Sequence, residues 1–202
     1  MRPLAGQASS PREAPVPVSD EVLMQQVAQG NHLAYQLLVK RHVNRMLSLA
    51  QRVLGRPSDA DDVVQEAFLR VWTRAPHWRP GGAARFTTWL YRVVVNLCID
   101  RARERDFVPL DTVPDIIDPA WDVEDQLHRV QLAERVSAEV SRLPVQQRTA
   151  LALCYYEGLS NAEAAGVLGI SVKALESLLV RARRTLQKAL TGPHEKERQH
   201  DT

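Results

Sequence analysis

Residues Asp59 to Trp72 read DADDVVQEAFLRVW, and the period of the apolar residues in this stretch decides the fold. Ala60, Val63, Val64, Ala67, Phe68, Val71 and Trp72 recur at spacings of three and four, which lines them along one side of a helix. The opposite side carries Asp62, Gln65, Glu66, Leu69 and Thr73, with Asp61 and Arg70 alongside. A leucine within an acid-rimmed polar face suits a docking surface with an apolar centre. Taken by itself it suits a plain solvated face equally well.

The same period extends in both directions. Upstream, Ser19-Asp20-Glu21 forms a cap, and Val22, Leu23, Met24 and Val27 mark a first helix that breaks at Gly30-Asn31. A second helix holds Leu33, Leu37, Leu38, Met46, Leu47, Leu49 and Val53 and stops at Gly55-Arg56-Pro57, so Ser58 or Asp59 is expected to cap the third. Downstream, Pro76 to Arg85 is a loop with Pro80-Gly81-Gly82, followed by a fourth helix from Phe86 to Arg105. Phe86, Leu90, Val93, Val94 and Leu97 are expected to bury one side of it. Arg92, Asn96 and Arg103 form another stripe with Asp100 beside them, and Arg101, Arg103 and Arg105 close the helix at its negative end. Cations interleaved with Trp89 and Tyr91 suit single-stranded nucleic acid, where bases lie on rings and the backbone follows the charges. Phe86 and Trp89 read better as core.

Next, the composition changes. Between Asp106 and Asp125 stand seven acidic residues and no Lys or Arg, interrupted by Pro109, Pro114 and Pro119: an extended acidic linker. Helices resume near Gln126 as four segments broken at Leu143-Pro144, Gly158 and Gly169, and a polar tail follows Thr191. The chain thus reads as all-α, two small helical domains joined by an acidic flexible linker. The expected boundaries are a disordered arm over 1–18, a first domain over 19–105, the linker over 106–125, a second domain over 126–191 and a tail over 192–202.

Within the second domain, Ser160-Asn161-Ala162-Glu163 is a capping box opening a short helix through Ala164, Ala165 and Leu168. Gly169 supplies the turn, Ile170 packs inward, and Ser171 caps the last helix. This is helix-turn-helix spacing. In the last helix Leu175, Leu178, Leu179, Ala182 and Leu186 form the buried stripe. Lys173, Glu176, Ser177, Val180, Arg181 and Arg184 lie opposite, placed to enter a major groove, while Arg183 and Lys188 on the flank suit phosphates. A helical hairpin with a solvated basic face is the plainer account, but turn, caps and basic stripe all agree with DNA binding.

Composition narrows the classes further. Hydrophobic content of 45% and charged content of 25% fit a globular protein, and no apolar run approaches the roughly 18 residues a membrane span requires. The first 18 residues lack the apolar centre of a secretory signal, so a cytoplasmic protein without membrane insertion is expected. Cys98 and Cys154 sit far apart in apolar helical patterns and read as small buried hydrophobes. No phosphate-cradling Gly loop, nucleophile–base pair or metal-ligand spacing is present, so no catalytic residue, cofactor or metal is expected.

DADDVVQEAFLRVW followed by FTTWLYRVVVNLCIDRARER (Phe86 to Arg105) resembles the paired signatures of extracytoplasmic-function (ECF) sigma factors of bacterial RNA polymerase. LPVQQRTALALCYYEGLSNAEAAGVLGISVKALESLLVRARRTL (Leu143 to Leu186) resembles the second domain of that family. The resemblance implies a subunit that binds core RNA polymerase at the β′ clamp and β flap and directs it to promoter DNA, double-stranded and melted. It further implies control by an anti-sigma factor in a stress or envelope response. Asp61, Asp62, Gln65, Glu66 and Leu69 match the surface that docks on the clamp. Arg92, Asn96, Asp100, Arg101 and Arg103, with the loop from Trp78 to Arg85, match the part that reads the minus-ten element. Ser171, Lys173, Glu176, Ser177, Val180, Arg181 and Arg184 match the helix that reads the minus-thirty-five element. Gly166 stands where the family often has a bulkier or charged residue, and Glu176 where it often has a basic one. An acid there suits cytosine N4 or plain solvent. A dimeric helix-turn-helix regulator would account for the second domain but leaves both motifs of the first unexplained. An adaptor mimicking a sigma domain usually carries a receiver domain, and no βα alternation is present.

Overall fold

The computed structural model describes residues 18–79, 85–105, 132–133 and 135–191, and the regular structure among them is helical. In order come α1 (Asp20–Ala28), α2 (His32–Leu54), α3 (Pro57–Arg74), a 3-10 turn (Ala75–His77) and α4 (Phe86–Arg105). There follow α5 (135–141), α6 (Val145–Leu151), a π-helical turn (Ala152–Tyr156), α7 (Asn161–Leu168) and α8 (Val172–Thr191). The expected arm up to residue 17, the Pro80 to Ala84 part of the loop, the acidic linker and the tail lie outside the described residues.

The starts and stops follow from local chemistry. The Ser19 hydroxyl accepts from the Val22 N–H, and Asn31 Oδ1 accepts from the N–H groups of Leu33 and Ala34, so α1 and α2 begin where polar side chains satisfy orphan donors. Gly55 ends α2 with φ 72°, a left-handed conformation that costs glycine little. One expectation fails here. The third helix is not capped by Ser58 or Asp59; it starts at Pro57 after an extended Arg56. Proline is at home in a first helical turn, where its missing N–H had no partner to lose, and Asp59 is buried inside that turn instead.

Helices α1 to α4 close around Leu23, Met24, Leu38, Met46, Leu49, Phe68 and Leu90, all essentially inaccessible to water. Each such side chain contributes roughly 1.5–3 kcal/mol by leaving water. The Tyr35 hydroxyl donates to the Phe68 carbonyl (3.2 Å), tying α2 to α3, and Trp72 stacks on His32 at 4.6 Å between ring centroids. In the second domain Leu153, Ala164, Ala165, Val167, Leu175, Leu179 and Ala182 are buried. Alanines on α7 allow it to approach α8 closely, and Gly169 at φ 68° makes the turn between them.

Helix α4 departs from its predicted pattern. Phe86, Leu90 and Val94 are buried as expected, but Val93 and Leu97 are only half-buried, whereas Tyr91, Val95 and Cys98 are fully buried. The physical reason is that α4 has two covered sides. It packs on α2 and α3 within its own bundle and on α6 and α7 of the second domain. Tyr91, Val95 and Cys98 are spaced i, i+4, i+7, a second helical stripe: the Tyr91 hydroxyl meets Glu157, and Cys98 feels the charge of Arg148.

Candidate functional site

Three surfaces carry the side chains singled out from sequence. On α3, Asp61, Asp62, Gln65 and Leu69 are exposed and Glu66 is half-exposed, held by Arg70 one turn on (2.8 Å). Leu69 is 54% exposed, an apolar centre among carboxylates. Such a solvated ion pair contributes little to stability, so the face is free to serve recognition.

On α4, Arg92, Asn96, Asp100 and Arg103 are exposed along one side, and Arg101 is half-buried. Arg101 reaches back to Asp62 at 3.9 Å, so the α3 and α4 surfaces meet edge to edge. Arg92 instead donates to the carbonyl of Gly166 on α7 (2.5 Å). The aromatic residues beside this helix do not form a stacking platform. Phe86 is in the core, with Trp78 and Trp89 packed around it at centroid distances of 6.1 Å each and 5.7 Å from each other. Tyr91 is likewise buried, turned toward the second domain.

At the start of α8 and along it, Ser171 just before the helix and Lys173, Glu176, Ser177, Val180, Arg181 and Arg184 within it are all exposed. Ser171 Oγ accepts from the Ala174 N–H, which fixes the helix start at this point. The capping box of α7 is complete. The Ser160 N–H and hydroxyl both donate to Glu163 Oε2, at 2.9 and 2.7 Å, and the Glu163 N–H donates to Ser160 Oγ. Those Ser160 donors hold the Glu163 carboxyl below its usual range.

Sequence reasoning missed one feature of this face. Arg183, expected to meet phosphates, donates to the Tyr155 hydroxyl and lies over its ring. Tyr155, Asn161, Glu176, Val180 and Arg183 line a cleft of about 520 Å³ on the flank of α8. Glu176 and Val180 therefore border both this cleft and the ridge made by Lys173, Ser177, Arg181 and Arg184. An adjacent Tyr155-Tyr156 pair in an otherwise aromatic-poor chain was the signal available in the sequence.

Residues 38–108 match the Sigma-70 region 2 family and residues 133–186 the Sigma-70, region 4 family. The ECF RNA polymerase sigma factor SigM of Mycobacterium tuberculosis is 33% identical over 172 residues, 85% of each chain. This chain belongs to the ECF sigma factors. As a sigma factor it directs RNA polymerase to promoters for transcription initiation. It is similar to the RNA polymerase sigma factor CnrH of Cupriavidus metallidurans, 34% identical over 190 residues, covering 88% of this chain and 97% of that one. A solved structure of CnrH in complex with the cytosolic domain of CnrY superposes with TM-score 0.62 at 32% identity, covering 85% of this chain and 96% of that one. The ECF RNA polymerase sigma factor SigE of Mycolicibacterium smegmatis is 34% identical over 154 residues, and the match spans 74% of this sigma factor and 59% of that longer relative. Among the described residues of this sigma factor, no helix is long and apolar enough to cross a membrane.

Proposed function

We propose that this sigma factor divides its work among the three surfaces and adds no catalytic group of its own. The α3 face of Asp61, Asp62, Gln65, Glu66 and Leu69 docks on the polymerase β′ clamp. The α4 row of Arg92, Asn96, Asp100, Arg101 and Arg103 reads the melted minus-ten element. The α8 row of Ser171, Lys173, Glu176, Ser177, Val180, Arg181 and Arg184 reads the minus-thirty-five element as duplex. The proposed domains are 19–105 and 126–191, with the acidic linker of 106–125 between them. The protein acts in the cytoplasm, under an anti-sigma factor; CnrH was solved in complex with the cytosolic domain of CnrY. The observation that carries this reading is the exposure of every residue in the α8 row together with Leu69, while neighbouring aromatic residues are spent on the core. Two weak readers joined by one tether gain affinity through effective concentration when the span fits.

The test separates the surfaces. Arg181→Ala should weaken promoter use by about 1–3 kcal/mol, the worth of a good base contact, and leave core polymerase binding intact. Asp61→Lys with Leu69→Ala should lower core affinity about tenfold or more, because charge and apolar complementarity both fail. These two positions are cleaner than Asp62, which also holds Arg101. Run-off transcription and core-binding titrations report the two activities; equal loss of both in either variant would overturn the assignment.

A further inference from the structure

The charged side chains of α8 are Lys173, Glu176, Arg181, Arg183, Arg184 and Lys188, so Glu176 is its one acid. Other glutamates of the chain have a structural partner: Glu66 pairs with Arg70 (2.8 Å), and Glu163 closes the capping box of α7. Glu176 has neither role. Free N–H groups and the positive end of the dipole favour an acid in the first turn of a helix, and Glu176 lies beyond that turn. Val172 and Val180 stand four residues away on either side, so no cation occupies an i,i+4 position. Its exposed carboxylate makes no hydrogen bond or ion pair with any described residue. Arg183, which lines the flanking cleft with it, is held by Tyr155.

On a surface that meets DNA such an acid is unfavourable, because the phosphates repel it. The exception is a donor on a base edge. Guanine N7 and O6 and thymine O4 accept in the major groove, and only cytosine N4 and adenine N6 donate. In an A·T pair the N6 donor lies between two acceptors, so a carboxylate set against it also meets their lone pairs. In a C·G pair the N4 donor stands at the end of the pattern, with an acceptor on one side only. Cytosine therefore fits a carboxylate best. Val180, one turn further on the same face and 60% exposed, suits a thymine methyl. A helical turn advances about 5.4 Å and base pairs stack at about 3.4 Å, so the two contacts fall within about two base pairs.

We propose that Glu176 is a specificity-determining residue of this sigma factor, accepting from the N4 amino group of a cytosine in the minus-thirty-five element. This deepens the proposed function and rests on it at one point, the assignment of the α8 row to that element. The acid contributes no affinity to duplex in general. It selects one base at one position.

The test uses the full chain, core polymerase and a promoter library randomised over the minus-thirty-five element alone, read by sequencing run-off transcripts. Wild type should enrich cytosine at one position about tenfold over the other bases. Glu176→Gln should move that preference to adenine, because an amide both donates to N7 and accepts from N6. Glu176→Arg should move it to guanine, through O6 and N7. Val180→Ala should alter a position within about two base pairs of it, and the remaining positions should keep their preferences. Glu176 is exposed and unpaired, so neither substitution at that position should disturb folding; circular dichroism checks this. Identical preferences in wild type and both Glu176 variants would overturn the proposal, as would a uniform rise across the library, the mark of an acid that merely repels phosphate. Arg181→Ala separates the two levels. If it changes a base preference while the Glu176 variants do not, only the role of Glu176 falls. If Arg181→Ala, Val180→Ala and the Glu176 variants all leave every position unchanged, the assignment of the α8 row falls with it.

Discussion

Glu163 shows how a single side chain sets the geometry of the DNA-reading unit. Its carboxylate accepts from both the backbone and the hydroxyl of Ser160, so the first turn of α7 is held from both ends. Hydrogen bonds to the charged form lower the carboxyl pKa relative to its ordinary value of 4.5. The sign follows directly: a depressed folded-state pKa contributes stability that is present above the unfolded value and lost as pH falls through the folded one. A carbon-detected titration should therefore show Glu163 protonating below the ordinary glutamate range. Ser160→Ala should move that titration up toward the ordinary value and cost about 1 kcal/mol of domain stability. Cys98 gives the opposite case. Burial pushes its thiol up to about 12, so at neutral pH it stays a protonated, inert core group. These two local features were legible in the sequence, the box from its Ser-x-x-Glu spacing and the cysteine from its apolar neighbours.

Helix α8 joins two requirements in one element. Leu175 is fully buried and Leu179 nearly so, whereas Val180, one residue further along, is 60% exposed. Leu175→Ala should therefore destabilise the second domain by about 2–5 kcal/mol, the range for emptying a packed leucine site. Val180→Ala should change stability by no more than about 0.5 kcal/mol, as surface substitutions do, while altering preference among minus-thirty-five sequences. Thermal melts and a promoter library read by run-off transcription check the pair; comparable stability losses would mean that α8 is rotated from the orientation described. The face of α8 could be read because one stripe is apolar and the other is not. Helix α4 resisted the same reading because Tyr91-Arg92-Val93-Val94-Val95 offers apolar residues all round, and periodicity cannot choose between one buried side and two. The cap of α3 was misplaced for a related reason: Ser58 and Asp59 are good caps by type, but Pro57 already fits the first turn.

At the scale of the whole molecule, the two helical domains and their order were plain from the sequence, because helix signals stop at the acidic stretch and resume after it. Their mutual packing was not, since Arg45, Glu157 and Arg92 each look like ordinary surface charges until the chain brings them together across more than 70 positions. The linker itself makes a separate, charge-based contribution. Its seven acidic residues belong to a chain whose formal net charge is only +2, so most of the excess positive charge of the remaining residues is offset there. Duplex DNA binds proteins non-specifically through released counterions, and the affinity falls with salt in proportion to the phosphates neutralised. An acidic segment between the two proposed DNA readers repels the same phosphates and should suppress this background. Replacing the seven acids by their amides should therefore raise affinity for non-promoter duplex and steepen its salt dependence, while the melting of both domains stays the same. Binding titrations over a range of salt, on promoter and scrambled duplex in parallel, measure it. The expected result is a smaller ratio between the two affinities in the amide variant. An unchanged ratio would mean that the discrimination between promoter and other duplex owes nothing to the charge of the linker and resides in the proposed α4 and α8 rows.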